Sequence, residues 1–158
     1  MKKYLAEMVG TFVLTFLGCG AAVSLNCGVD TASVVGTAMA FGISVIAMAY
    51  TIGGISGCHI NPAITLGVFL SGRMNGKDAG MYMVFQTIGA IIAAAVLSLL
   101  VWTDPSLVEG TATGANACAS NNVLNGLLAQ VLFTFLFVLV VSGATSKTNG
   151  ATNNFAGF

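Results

Sequence analysis

Charged residues are scarce in this 158-residue sequence, which contains five Lys and Arg, five Asp and Glu, and a charged fraction of only 6%. Soluble domains carry roughly 25%. The balanced and sparse charge leaves no basic patch, which excludes a protein that binds nucleic acid through phosphate contacts. The hydrophobic content of 56% likewise excludes a disordered chain.

Residues that support catalysis or metal binding are also few. His59 is the only histidine, and the acidic residues are scattered along the chain, whereas an enzyme site needs a nucleophile with a base or a pair of acids. The four cysteines lack CxxC spacing, so we expect no metal site and no cofactor. The spacing also gives no support for a disulfide between Cys27 and Cys118. The sequence therefore predicts a protein that is not an enzyme.

Long uncharged apolar runs dominate what remains and predict an all-α membrane protein with a single domain over residues 1–158. The first run is too long for the apolar part of a signal peptide and further spans follow, so we interpret it as retained. Residues 155–158 follow a polar break at 149–154 and resemble the opening of a fifth span, so we expect the chain to be incomplete. Four spans are predicted, at about Tyr4–Leu25, Ser33–Ile52, Ala79–Trp102 and Val123–Ala144.

Between the second and third spans lies a stretch that predicts a half-length helix. Asn61 is a good N-cap, and Pro62 suits the first helical position. Residues 61–70 give about 15 Å of helix at ~1.5 Å per residue, half of a hydrocarbon core of ~30 Å. The irregular backbone before it is tolerated at this depth only where it is buried or lines a water-filled cavity. It comprises Gly57, Cys58, His59 and Ile60.

The distribution of positive charge predicts the orientation. With the N-terminus in the cytoplasm and the half-helix entering and leaving on one face, every Lys and Arg falls on the cytoplasmic side. A full crossing by the half-helix would instead move Lys147 to the exterior. The cytoplasmic set is Lys2, Lys3, Arg73, Lys77 and Lys147, and the outer set is Asp30, Asp104 and Glu109.

A weak internal repeat relates residues 6–12 to residues 129–135. Three spans separate the copies, an odd number, so the two copies run in opposite directions. This pattern is typical of an inverted repeat whose functional site lies near the midplane. It predicts a first repeat at about 1–102 and the start of a second at about 123–158.

The segment from Ser56 to Gly67, Ser-Gly-Cys-His-Ile-Asn-Pro-Ala-Ile-Thr-Leu-Gly, closely resembles the first signature loop of the aquaporin (major intrinsic protein) family. Similarity extends over the whole chain and is greatest to the bacterial water-selective branch. Three further motifs carry it: Ala6-Glu7 with Gly10-Thr11-Phe12, Ala40-Phe41-Gly42, and Ser142-Gly143-Ala144-Thr145.

The resemblance implies a right-handed six-helix bundle of two inverted halves, usually a homotetramer in the cell membrane with one pore per subunit. It implies a passive, osmotically driven water channel that excludes protons. The second Asn-Pro-Ala loop, the sixth span, and the filter arginine and histidine are missing from this sequence. A glycerol or small-solute facilitator, or a non-conducting member of the family, therefore stays open as an alternative.

The same resemblance places Asn61, Pro62 and Ala63 at the pore centre. A helix N-terminus carries about +0.5 charge, which repels cations and protons there. The carbonyl groups of residues 57–60 are expected to accept hydrogen bonds along one wall, opposite an apolar wall. Phe41 is expected at the narrow mouth, although a Phe facing lipid or the core is the alternative.

Three more residues are interpreted as supporting re-entrant loops, Glu7 and His59 the loop before Asn61, and Gln130 the second loop that this sequence lacks. Glu7 is too deep for a free charge and is expected to accept hydrogen bonds from the loop backbone. Gln130 occupies the equivalent position in the second repeat, where a glutamate is usual, so its anchoring role is less well supported. His59 could act in pH gating or catalysis, but a neutral ring bonded to the loop backbone is the favoured interpretation.

Overall fold

The computed structural model describes residues 1–104, 114–115 and 122–146. Within these residues all regular structure is helical, as the sequence predicts. Four helices are long and apolar enough to cross a membrane, and the remaining one is short. In chain order they are α1 (Lys2–Ser24), α2 (Thr31–Ser56), α3 (Pro62–Leu70), α4 (Gly76–Thr103) and α5 (Val123–Ala144).

The helix ends differ from the predicted spans because capping residues, and not hydropathy, set them. Asp30 accepts from the Ser33 backbone N–H and forms a capping box, so α2 begins two residues earlier than predicted. It continues to Ser56 and ends at Gly57, whose φ of 88° is the left-handed conformation that glycine favours. Asn75 caps α4 through the Asp78 N–H and likewise lengthens that helix.

Helices α1, α2 and α4 pack into one group in which glycines permit close approach. A Cβ at Gly89 of α4 would lie 2.2 Å from the Met8 carbonyl oxygen of α1, so the two backbones are nearly in contact. A Cβ at Gly18 of α1 would lie 2.3 Å from the Phe41 ring of α2.

The starts of α1 and α4 lie on the same face of the bundle, hereafter the N-terminal face. Lys3 Nζ lies 2.7 Å from an Asp78 carboxylate oxygen, and the Tyr4 hydroxyl donates to the other oxygen at 2.6 Å. Asn75 donates to the same carboxylate. This closed cluster joins the two helix ends.

Helix α5 packs against α3, and a Cβ at Gly67 of α3 would lie 2.6 Å from Val138 of α5. Its last turn contacts Arg73, which follows α3, so α5 runs toward the N-terminal face while α1 runs away from it. Opposite directions are what an inverted repeat requires, and the repeat itself stays a prediction. Lys147, Glu109, Cys118 and residues 149–158 lie outside the residues that the structure describes.

Candidate functional site

The short helix α3 begins inside the bundle and ends at the N-terminal face. Asn61 has the extended conformation of an N-cap, and its Oδ1 accepts from the Ala63 backbone N–H at 2.8 Å. Pro62 occupies the first helical position, as the sequence predicts. The nine residues of α3 span about 14 Å at 1.5 Å per residue. The cap uses the side-chain carbonyl oxygen of Asn61, so the amide nitrogen takes no part in it.

The backbone before α3 is strained. Gly57, Cys58 and Ile60 have φ values of 88°, 52° and 41°. Positive φ is ordinary for glycine but a genuine outlier for a β-branched residue such as Ile60. Each non-glycine residue of this kind costs about 1–3 kcal/mol and persists only where its surroundings hold it. An interaction outside the loop must therefore fix this conformation.

Glu7 of α1 provides that interaction. Its side chain is completely buried. One carboxylate oxygen accepts from the Ser56 hydroxyl at 2.6 Å and the His59 N–H at 2.9 Å. The other accepts from the Ile60 N–H at 2.6 Å and the Gln86 amide at 2.7 Å. Four donors compensate for burying the carboxyl group and fix two consecutive loop amides to α1.

A second layer of polar side chains lies behind this contact. Thr65 and Gln86 are fully buried, and Gln86 Nε2 donates to Thr65 Oγ1 at 3.0 Å. The His59 ring nitrogen Nδ1 lies 3.1 Å from the same oxygen, and Tyr82 donates to the Ser56 carbonyl at 2.8 Å. His59 therefore bonds a threonine side chain and not the loop backbone that the sequence suggested.

The sequence interpretation missed Ser56, Thr65, Tyr82 and Gln86 as members of this network. For Gln86 a signal was available, because an amide in the middle of an apolar membrane span is costly and marks a functional contact. The others gave none, since Ser, Thr and Tyr are common in membrane helices and their partners are distant in sequence.

The loop before α3 and its N-cap Asn61 border a cavity of about 680 Å³. One wall is formed by α2, the loop and the first turns of α3, and includes Gly57, Cys58, His59, Ile60 and Asn61. The facing wall is the second half of α5, with Phe137, Val140 and Val141. Cys58, His59 and Asn61 thus lie on one side and apolar side chains of α5 on the other; that residues 57–60 form a polar wall of a pore stays a prediction.

Phe41 does not line this cavity. It lies one turn before Val45 on the same face of α2, where Val45, Ala49 and Gly53 contribute to the wall. Its ring contacts Gly18, and the residue is 36% exposed. This places Phe41 beyond the cavity, toward the opposite face of the bundle, and its role at a narrow mouth stays a prediction.

Gln130 is exposed on α5. The loop that it is expected to anchor is not part of the sequence, so its role also stays a prediction. Among the described residues, Cys19, Cys27 and Cys58 are free thiols, and no group of three or more His, Cys, Asp and Glu side chains is placed to hold a metal.

Comparison with known proteins identifies a family model and relatives that agree with one another. The family model for the major intrinsic protein matches residues 1–157. Aquaporin Z of Rhodopseudomonas palustris is 44% identical over 151 residues, covering 91% of this chain and 62% of the relative. Aquaporin Z of Bradyrhizobium diazoefficiens is 40% identical over 152 residues, covering 92% and 63%. The chain thus spans less than two thirds of the length of these relatives.

A solved structure supports the fold. The X-ray structure of the aquaglyceroporin from Plasmodium falciparum superposes with a TM-score of 0.83 at 20% identity, covering 99% of this chain and 65% of that chain. This likeness concerns the fold alone. Four apolar helices long enough to span a membrane and the match over residues 1–157 identify the chain as a multi-pass membrane protein that belongs to the major intrinsic protein family.

Proposed function

We propose that this protein forms part of a passive channel for water that excludes protons and other cations. The observation that carries the proposal is the capped N-terminus of α3, which faces a cavity and is fixed there by Glu7. Membership in the family argues against an enzyme, as the sequence predicted. The relatives named Aquaporin Z favour water as the permeant.

The geometry explains how such a site passes water. The N-terminus of α3 presents about +0.5 charge at the buried end of the cavity, which repels cations. The Asn61 amide is available to donate to a water oxygen, which then turns its hydrogens away and interrupts a chain of hydrogen bonds along which protons move. The apolar wall formed by α5 offers few competing partners, so water is not held in transit.

We further propose that the N-terminal face is cytoplasmic and that the channel resides in the cell membrane as a homotetramer. Lys2, Lys3, Arg73 and Lys77 occupy segments at that face, as the distribution of positive charge requires. Family resemblance supports the tetramer, with one pore in each subunit.

Reconstitution of the purified chain into proteoliposomes tests the proposal. We expect stopped-flow light scattering to show osmotic water permeability above that of bare lipid, without leakage reported by an internal pH dye. Swelling in a glycerol gradient distinguishes a water channel from a glycerol facilitator, since only the facilitator would admit glycerol as well as water. Permeability equal to bare lipid would indicate a non-conducting chain and contradict the proposal.

Cys58 provides a direct probe of the cavity. Cys58 borders the cavity next to His59 and Asn61, so a mercury ion bound to its thiol should obstruct the passage of water. We expect Hg²⁺ to reduce water permeability nearly to the lipid baseline and a reducing thiol to restore it. Cys58→Ser should be insensitive to Hg²⁺, whereas Cys27→Ser, at an exposed position, should be blocked like the parent. An unchanged block in Cys58→Ser would mean that Cys58 does not face the permeation path.

A further inference from the structure

Arg73 is held at the rim of the cavity by the way α3 ends. Gly72 has a φ of 73°, its N–H donates to the Phe69 carbonyl at 2.9 Å, and the Arg73 N–H donates to the Val68 carbonyl at 3.1 Å. These two bonds form a Schellman motif, which fixes the backbone of the residue that follows the glycine. The Arg73 Cα is therefore part of a rigid helix end.

The side chain of Arg73 then reaches across to α5. Its Nη2 donates to the Thr145 carbonyl oxygen at 2.8 Å and lies 3.0 Å from Thr145 Oγ1. Thr145 is the C-cap of α5, where the helix dipole is negative and favours a cation. The guanidinium group thus joins the ends of α3 and α5, and both Arg73 and Thr145 line the cavity.

Arg73 also sets the charge of this rim. It is the one formally charged side chain among the described residues that line the cavity. The C-termini of α3 and α5 each place about half of a unit of negative charge at this rim, so without Arg73 the rim would be negative. On the same face Lys3 is paired with Asp78 at 2.7 Å, so that pair adds no net charge. Lys2 and Lys77, both exposed, add to the positive potential.

We infer that Arg73 is a specificity-determining residue, a fixed positive charge that discourages cations at the N-terminal rim of the cavity before they reach α3. This inference rests on the proposed function, because the rim matters only if solutes pass through the cavity. The N-terminus of α3 supplies a second positive region at the inner end of the same cavity. A cation then meets the positive charge of Arg73 before it reaches the inner end, where the α3 N-terminus and the buried Glu7 carboxylate both contribute to the potential, whereas a neutral molecule is not repelled.

Thiol labelling of Cys58, which borders the same cavity, measures this potential without measuring flux. The probes are cationic trimethylammonium-ethyl and anionic sulfonato-ethyl methanethiosulfonates, whose rates are normalised to those with a small thiol in solution. The protein carries Cys19→Ser, Cys27→Ser and Cys118→Ser and is held in nanodiscs, where both faces are open. Intact-mass spectrometry follows each mixed disulfide.

We expect the ratio of anionic to cationic rates to fall about three- to tenfold in Arg73→Gln, the effect of one unit charge acting oppositely on two reagents over roughly 10 Å. Arg73→Lys should keep most of the ratio, because the charge remains. The ratio at Cys27, measured in a matched variant that retains only that cysteine, should not respond. Any effect of Arg73 on the reactivity of the Cys58 thiol cancels from the ratio, since the same sulfur reacts with both reagents.

An unchanged ratio in Arg73→Gln would overturn the inference, as would equal acceleration of both reagents, which would indicate a steric barrier. Failure of Cys58 to react with either reagent would also overturn it. If Arg73→Gln does not fold, the parent protein is tested in its place. The ratio of anionic to cationic labelling rates at Cys58 must then fall as the salt concentration rises from about 0.01 M to 1 M. A charge-dependent ratio in a chain that shows no water flux would count against the proposed function, while still showing that Arg73 sets the potential at the rim.

Discussion

Glu7→Leu is expected to abolish protein-mediated water flux and to lower the free energy of unfolding by about 3–5 kcal/mol, as is typical when one partner of a buried charged network is removed. The substitution leaves the N–H groups of His59 and Ile60 without their acceptor. An unsatisfied buried donor costs about 1–3 kcal/mol. The loop also loses the contact that offsets the strain at Cys58 and Ile60.

Amide hydrogen exchange distinguishes a local change in the loop conformation from unfolding of the whole protein. In Glu7→Leu we expect protection to be lost at residues 59 and 60 first, while the centre of α4 stays protected. Glu7→Gln keeps the shape and one acceptor oxygen but turns an NH₂ group toward a donor, so its loss should be intermediate. Thr51→Val is the matched control, because the Thr51 hydroxyl is exposed and bonds only within its own helix. Wild-type stability and exchange in Glu7→Leu would show that the carboxylate does not fix the loop.

The sequence was sufficient to predict the helices but not where most of them end. Runs of apolar residues predict four spans, and the structure has four helices of suitable length and composition. The predicted starts of α2 and α4 were wrong by two and three residues because Asp30 and Asn75 cap these helices before the apolar runs, and α2 continues four residues past its predicted end to the C-cap Gly57. In α5 the apolar run and the helix coincide at Val123–Ala144, since the cap Asn122 lies directly before the run.

The candidate site was only partly predictable. The Asn-Pro pair predicts the start of α3, because capping is a local property that residues 61–63 display by themselves. The contacts of Gln86 and Thr65 depend on how α4 crosses α1 and α3, which no local pattern reports. Arg73 appeared only as a charge that sets orientation, since its bond to Thr145 joins residues 72 positions apart.

That crossing of α1 and α4 leads to the second large effect, which we expect for Gly89→Ala. A Cβ at this position would lie 2.2 Å from the Met8 carbonyl oxygen and 3.0 Å from the Met8 carbonyl carbon. These are backbone atoms, so no side-chain rotation relieves the clash, and α1 must move away from α4. Overpacking of this kind costs about 1–3 kcal/mol or more.

Gly80→Ala in the same helix is the matched control, because a Cβ there meets nothing within 4 Å. Alanine is the better helix former, so this variant should be as stable as the parent or more so. The same substitution at two positions of α4 should therefore change the midpoint of thermal unfolding in detergent in opposite directions, or lower it only at position 89.

The effect of Gly89→Ala should extend to the site. Met8 directly follows Glu7, and Gln86 lies one turn before Gly89, so separating the two backbones lengthens the 2.7 Å contact between Gln86 and the Glu7 carboxylate. We expect water flux to fall together with stability, and exchange at residues 59 and 60 to increase. Equal stability of the two alanine variants would mean that α1 and α4 are further apart than described. The distances between the Glu7 carboxylate and the N–H groups of the loop would then also be wrong.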